Sequence, residues 1–275
     1  TYALAALGFS IIYNASGVIN FAQGEFIMLG GMAAVVLVGL GLPLPLAVAI
    51  AVLAVAAAGL LVEKLAIEPA KNAEVVTLII ITIGASLFIR GLVQVLLGKA
   101  PHALPAFSGD RPIEVGGATL LPQSLWALGV TLVIVVALAW FFTRTLQGKA
   151  MLATSHNKLA AQLVGINTKT ILLASFGLSA ALGALGGILV APITSTSYDV
   201  GIMLGLKGFV AATLGGLGSG ARAIAGGLLL LLMALVGLGY RDRPHWKLSA
   251  ILLGVLALAV MQAKEVLGTC IPMVV

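Results

Sequence analysis

Charge is what this sequence has least of: 9% of its 275 residues are Asp, Glu, Lys or Arg, against about 25% in a soluble globular domain. With 61% hydrophobic residues and a mean hydropathy of +1.18, the chain has too little polar surface to cover a core in water. It reads as an integral membrane protein. Cysteine is reduced to Cys270, which excludes an intrachain disulfide and a multi-cysteine metal site. His102, His156 and His245 fall in separate loops, and no His-Glu-x-x-His, nucleophile elbow or pair of intramembrane Asp occurs, so no catalytic or metal site is assigned. Gly98-Lys99 and Gly148-Lys149 lack the earlier Gly and the following Ser or Thr of a P-loop, so the chain itself does not bind ATP in that manner. Glu25 is the one carboxylate clearly inside or beside an apolar run, which leaves no relay of buried acids. An ion-coupled secondary transporter of a small polar solute therefore stands only as the alternative reading. The net charge of +6 comes from bases scattered singly, with no basic stretch interleaved with aromatics, which fits positive inner loops and not nucleic acid.

What the sequence does have is apolar length. Runs cover residues 2–17, 21–42, 44–62, 75–97, 124–143, 171–191, 202–217, 224–238 and 248–261, each near the ~20 residues that cross a bilayer. The expected fold is all-α: one polytopic domain over residues 1–275, a bundle of about eight or nine helices, with a broken second helix and a short polar cytoplasmic helix. The seventh and eighth runs are short and fit partly re-entrant segments. Residues 98–123, rich in Pro and Gly, read as an irregular outer loop with a short hairpin around Gly116. If runs 75–97 and 124–143 each cross once, the loops 64–74 and 144–169 face the opposite, cytoplasmic side. Lys64, Lys71, Arg144, Lys149, Lys158, Lys169, Arg222 and Lys264 then lie inside, against Lys99, Arg111, Arg241, Arg243 and Lys247 outside. Gly183 with Gly187, and Gly201 with Gly205, have the four-residue spacing that lets helices pack closely in lipid. The run GGLGSG at 215–220 reads as close packing and a tight turn. The opening TYAL has neither a basic n-region nor a cleavage site, and residues upstream of Thr1 are expected.

Two stretches carry function. The first is SGVINFAQGE, residues 16–25, which puts Asn20, Gln23 and two Gly where a membrane helix should continue. Unwound backbone survives in hydrocarbon only where protein buries it or water reaches it, so the break either lines a cavity or joins two helices at an interface. On the first reading a helix restarts near Ala22 and aims free amides at a substrate carboxylate. Glu25, in the first turn of that helix, suits the positive end of the dipole as a cap; substrate contact is its other reading. Lys207 sits among apolar neighbours and is either a path residue, with Glu25 as one conceivable partner, or a snorkelling lysine. Arg90, near the outer end of its run, is expected to snorkel. The candidate path residues are thus Asn20, Phe21, Ala22, Gln23, Gly24, Glu25 and Lys207. The second stretch is AMLATSHNKLAAQLVGIN, residues 150–167, a small polar helix caged between apolar segments and read as a docking handle for another protein. Asn157 can cap it, Ala160 and Ala161 leave a small-residue face, and Gly165 can take the left-handed turn that stops it.

These residues resemble a known family. TYALAALGFSIIYNASGVINFAQGEF at the start, LVGINT after the handle, GFVAATLGGLGS at 208–219 and AIAGGLLL around Ile224 are similar to the LivH-type permease subunits of ATP-binding-cassette importers for branched-chain amino acids. The likeness runs to about Tyr240, and the final stretch from Arg241 departs most. It implies a multi-pass bacterial inner-membrane permease paired with a LivM-like permease, two ATPase subunits that bind ATP and Mg, an extracytoplasmic solute-binding protein, and surrounding lipid. No cofactor is implied on this chain. The family's coupling loop, Glu-Ala-Ala, three residues, then Gly, corresponds to Leu159, Ala160, Ala161 and Gly165, with Leu159 in the acidic place and Ile166 and Asn167 following. Asn157 stands where relatives often carry Asp, and Gln23 where some carry His. Beginning at TYAL also suggests that the family's first helix is largely absent from this sequence.

Overall fold

The computed structural model describes residues 2–70, 73–109, 113–115, 118–218 and 222–230. Within them the chain forms α1 (Tyr2–Ser16), α2 (Gln23–Gly39), α3 (Leu44–Val62), α4 (Val75–Leu97), α5 (Pro122–Arg144), α6 (Leu146–His156), α7 (Lys158–Leu163), α8 (Thr168–Thr194) and α9 (Val200–Gly215). Residues 222–230 are also helical. A short hairpin, β1 (Ile113–Val115) and β2 (Ala118–Leu120), pairs antiparallel with Ile113 opposite Leu120, as expected around Gly116. The expected run 248–261, the cluster 241–247 and Cys270 lie outside the described residues.

Among the described residues four helices are long and apolar enough to cross a membrane: Leu44–Ile67, Val75–Leu97, Pro122–Arg144 and Thr168–Thr194, of 24, 23, 23 and 27 residues. The first includes a π-helical turn, Glu63–Ile67, where the Glu68 amide reaches back five residues to Glu63 O. Pro122 opens α5 where a missing amide hydrogen is harmless. Gly98 ends α4 at φ +79°. The protein is a multi-pass membrane protein with an all-α bundle.

Burial separates centre from periphery. In the most apolar window of α8, 67% of residues are buried inside the chain, against 6% in α5. Helix α8 is therefore the hub, with α1, α2 and α3 around it, and α5 presents its apolar sides outward. Hydrophobic burial cannot drive this packing in lipid, so close approach of small residues matters more. Gly187 lies against Ile27 O, Gly30 against the Ala184 backbone, and Gly24 against Gly201, so α2 is wedged between α8 and α9. The glycine pairs anticipated at 183/187 and 201/205 do sit at these crossings. Gly215 likewise meets Arg222 and Gly226 across the turn, where Gly216 and Gly218 have positive φ. At the opposite end of the bundle, His102 and Thr196 exchange both backbone bonds at 2.7 Å, tying the long loop to the segment between α8 and α9.

The polar stretch 150–167 is two helices where the sequence reading had one. Asn157, extended at φ −154° and ψ 104°, ends α6 and begins α7. Its amide donates to Ala153 O at 3.1 Å while its side-chain oxygen accepts from the Ala160 amide at 3.0 Å. The predicted cap is therefore real, but what it caps is the six-residue α7.

Candidate functional site: a buried ion pair beside the helix break

Helix α1 stops at Ser16, Gly17 takes φ +74°, and α2 begins at Gln23, so the predicted break is present with a restart next to Ala22. Its amides are not free. Phe21 N donates to Thr82 Oγ1 at 3.2 Å, Ala22 N to Asn20 Oδ1 at 3.0 Å, and Gln23 N to Asn20 O at 3.2 Å. The expectation of open amides facing a substrate carboxylate is thus corrected for these three residues, because Asn20 and Thr82 already satisfy them. Gln23 is enclosed by α1, α2 and α8. Its amide nitrogen donates to Ser179 O at 3.1 Å, and its oxygen accepts from Ser179 Oγ, which also reaches Gly8 O at 2.8 Å. Gln23 is a tie between three helices, and Ala22 is fully buried beside it.

Glu25 is the centre of the polar structure. It is 1% exposed, and Oε1 accepts from Arg90 Nη2 at 2.7 Å and from Ser86 Oγ at 2.8 Å. Arg90 therefore does not snorkel; Ser86 and Arg90 are one turn apart on α4, so both project toward α2. Nor is Lys207 the partner of Glu25. Gly201, Gly205 and Gly208 form the buried side of α9, while Lys207 lies on its exposed side. Its ammonium is 3.3 Å from Tyr2 Oη and 5.5 Å from the centre of that ring, a polar and cation–π contact. The expected participation of Glu25 in a first turn holds, yet its bonds run sideways to α4 and not along its own helix. Glu25 Oε2 and Arg90 Nε are buried with no hydrogen-bond partner among the described residues. Leaving charged groups in that condition costs about 1–3 kcal/mol or more each.

Beside this pair lies a cavity of about 140 Å³ between α2, α4 and α9, walled by Phe9, Phe21, Ile83, Ile202, Leu206 and Phe209. A second, of about 60 Å³, lies under the break and is lined by Ser16, Asn20, Thr82 and Lys158, so it joins the break to α7. A larger space of about 550 Å³ between α1, α5 and α6 includes Asn14, Thr143 and His156 but none of the expected path residues.

Helix α7 is built to stand out from the bundle. Ala161 is buried and seats it, Ala160 faces outward, and Leu159, Leu163 and Val164 are exposed, Leu163 by 88%. The two alanines therefore do not share one face, since consecutive residues lie about 100° apart around a helix. Gly165, at φ +87°, completes a Schellman turn in which Ile166 N bonds Ala161 O and Gly165 N bonds Gln162 O, both at 3.0 Å. Asn167 then caps α8 by accepting from Lys169 N at 3.1 Å and Thr170 N at 3.3 Å. The Asn157, Gly165 and Asn167 positions are thus three local stops that fix a short exposed segment.

Comparison with known proteins shows the family. Residues 1–261 match the family described as branched-chain amino acid transport system, permease component. The high-affinity branched-chain amino acid transport system permease protein LivH of Escherichia coli K12 is 31% identical, covering 97% of this chain and 92% of its own length. The corresponding BraD protein of Pseudomonas aeruginosa is 30% identical over 84% of this chain and 80% of its own. The ribose import permease protein RbsC of Escherichia coli K12 is 27% identical over 86% and 70%. No solved structure matches the chain. Taken with its multi-pass helical bundle, the match over residues 1–261 shows that this chain belongs to the permease components of branched-chain amino acid transport systems.

Proposed function

We propose that this chain is one half of the permease of an ATP-driven importer in the bacterial inner membrane, conducting branched-chain or related amino acids inward. Its other half is a LivM-like permease. Two ATPase subunits bind ATP and Mg and seat α7, while an extracytoplasmic binding protein delivers solute to the end that carries the 98–123 loop. The observation that supports this best is α7: a capped, six-residue helix with exposed Leu159, Leu163 and Val164, tied through Lys158 to the cavity below the break. Such a segment gains little from the bundle and presents apolar area that a partner can cover. The break supplies the mobile end of the linkage, since unwound backbone can change its dihedrals without stretching a helix. The amino-acid class is supported by the names of the LivH and BraD relatives, which are more similar to this chain than the ribose import permease RbsC.

Purification of the tagged full chain from its host membrane, with mass spectrometry of what accompanies it, tests the assembly. Two ATPases and a second permease are expected, and leucine uptake by proteoliposomes of that complex with binding protein should require ATP. Uptake abolished by an uncoupler, with no nucleotide-hydrolysing subunit present, would establish the ion-coupled carrier instead.

A further inference from the structure

The polar groups around Glu25 are not all used. Oε1 and Nη2 hold the ion pair, but Glu25 Oε2 and Arg90 Nε are buried and unbonded beside the same 140 Å³ cavity. One of these atoms only accepts hydrogen bonds and the other only donates, and they carry opposite charge. Apart from Ser86, whose hydroxyl already donates to Oε1, the remaining wall is apolar, with three phenyl rings and Ile83, Ile202 and Leu206. Gly201 lets α9 pack close to the carboxylate, because a Cβ there would stand 2.7 Å from Oε2. The ligand that completes such a wall carries an ammonium and a carboxylate on a short bridge, plus an aliphatic group. An amine alone leaves Arg90 Nε unanswered, and a carboxylic acid alone leaves Oε2 unanswered.

We propose that Glu25 and Arg90 form a zwitterion-recognition subsite for aliphatic α-amino acids in this chain's half of the transport path. The ammonium donates to Glu25 Oε2, the carboxylate accepts from Arg90 Nε, and the side chain lies against Phe9, Phe21 and Phe209. This deepens the importer reading and rests on it. It also places discrimination for the zwitterion inside the membrane, in addition to whatever the delivering protein selects.

The test uses the full chain, with whatever subunits accompany it on purification, in lipid nanodiscs without binding protein. Radiolabelled leucine is titrated by scintillation proximity. Saturable binding is expected, displaced by unlabelled leucine and not by leucinamide or 4-methylpentanoate at equal concentration. Glu25→Gln should weaken it by about tenfold or more, equivalent to about 1.4 kcal/mol. Leu206→Trp guards against simple misfolding: Leu206 lines the cavity and is half exposed, so the variant is expected to fill the space without touching the ion pair, and an unchanged melting temperature in detergent checks that it folds. It should lose binding to the same extent. Absence of saturable binding, equal displacement by leucinamide, or wild-type binding in Leu206→Trp overturns the subsite. ATP-driven uptake by the same preparation in liposomes is read separately. Zwitterion binding without ATP-dependent uptake removes the importer reading alone, and ATP-dependent uptake with binding indifferent to both variants removes the subsite alone.

Discussion

Lys158, the first residue of α7, and Asn20, whose side chain caps the restart at Ala22, line one and the same cavity of about 60 Å³. Asn20 Nδ2 is buried without a partner among the described residues. Ile67, Leu78, Leu172 and Phe176 also line that cavity, so a shift of α7 bears on the same space as the unwound backbone. Packed elements pass on such shifts because they have discrete arrangements and do not deform smoothly. Under the importer reading, Lys158→Trp should wedge this space. Uptake per ATP hydrolysed is expected to fall by about fivefold or more, the range of a typical coupling free energy, with ATPase assembly retained. Lys169→Trp, on the exposed first turn of α8, is the matched control and should leave that ratio unchanged.

Gly165 offers a cleaner separation of backbone from side chain. No atom lies within 4 Å of where its Cβ would be, so a substitution meets no clash, only the φ of +87°. A left-handed conformation costs an ordinary L-residue about 1–2 kcal/mol, whereas Asn tolerates it. A six-residue helix with one buried side chain, Ala161, has little with which to oppose that. Gly165→Val should therefore loosen α7 and uncouple hydrolysis from uptake, and Gly165→Asn should restore both to near wild type. Amide exchange at Ile166, whose bond to Ala161 O closes the turn, reports the same change directly. Equal behaviour of the two variants would mean that the turn does not set the position of α7.

Asn157 makes a related prediction from its double duty. Replacing Asn at an N-cap by an apolar residue costs about 1 kcal/mol, while Asp or Ser largely preserves the cap. In this chain the same residue also interrupts what would otherwise be a continuous helix from Leu146 to Leu163. Asn157→Leu should thus speed exchange of the Ala160 amide, which the Asn157 side chain accepts, and Asn157→Asp should not.

Local signals were readable because they act over a few residues. The spans, the break, the hairpin, the Asn157 cap and the Gly165 stop all follow from apolar run lengths or from residues within four positions of each other. The Glu25–Arg90 bond joins positions 65 apart, a pairing that no local spacing encodes. Arg90 was assigned by depth alone, as a lysine or arginine near a helix end, when the informative sign was Ser86 one turn before it on the same face. Lys207 erred the opposite way. Its apolar sequence neighbours suggested burial, but the glycines at 201, 205 and 208 mark the packed side of α9 and leave Lys207 on the other. Gln23 looked like a path residue because it is polar, and turned out to be fully committed to Ser179.

The glycine crossings predict a sharp contrast between two positions of the same type. A methyl at Gly187 would run into Ile27 O and approach Gly31 N at 3.2 Å, where α2 and α8 have no slack. Backbone atoms cannot rotate aside as a side chain can, so Gly187→Ala must part the helices. Gly84, on the exposed side of α4, meets nothing within 4 Å. There Gly→Ala should stabilise the helix by about 0.5–1 kcal/mol through backbone entropy alone. Thermal unfolding in detergent should therefore show Gly187→Ala clearly lowered and Gly84→Ala unchanged or raised.

The ion pair itself makes an ordered prediction. Removing one partner of a buried pair costs about 3–5 kcal/mol, mainly because the other charge is left without compensation. The two partners are unequal, since the Glu25 side chain is 1% exposed and that of Arg90 21%. Arg90→Met leaves the deeper charge stranded with only Ser86 to answer it, whereas Glu25→Gln leaves the shallower one, nearer to the surface of the chain. Arg90→Met should therefore be the more destabilising single change in detergent unfolding. The double variant Glu25→Gln with Arg90→Met strands no charge, and its loss should be smaller than the sum of the single losses. Additive losses would mean that the 2.7 Å contact contributes no coupling and that α2 and α4 are held together by their apolar contacts alone.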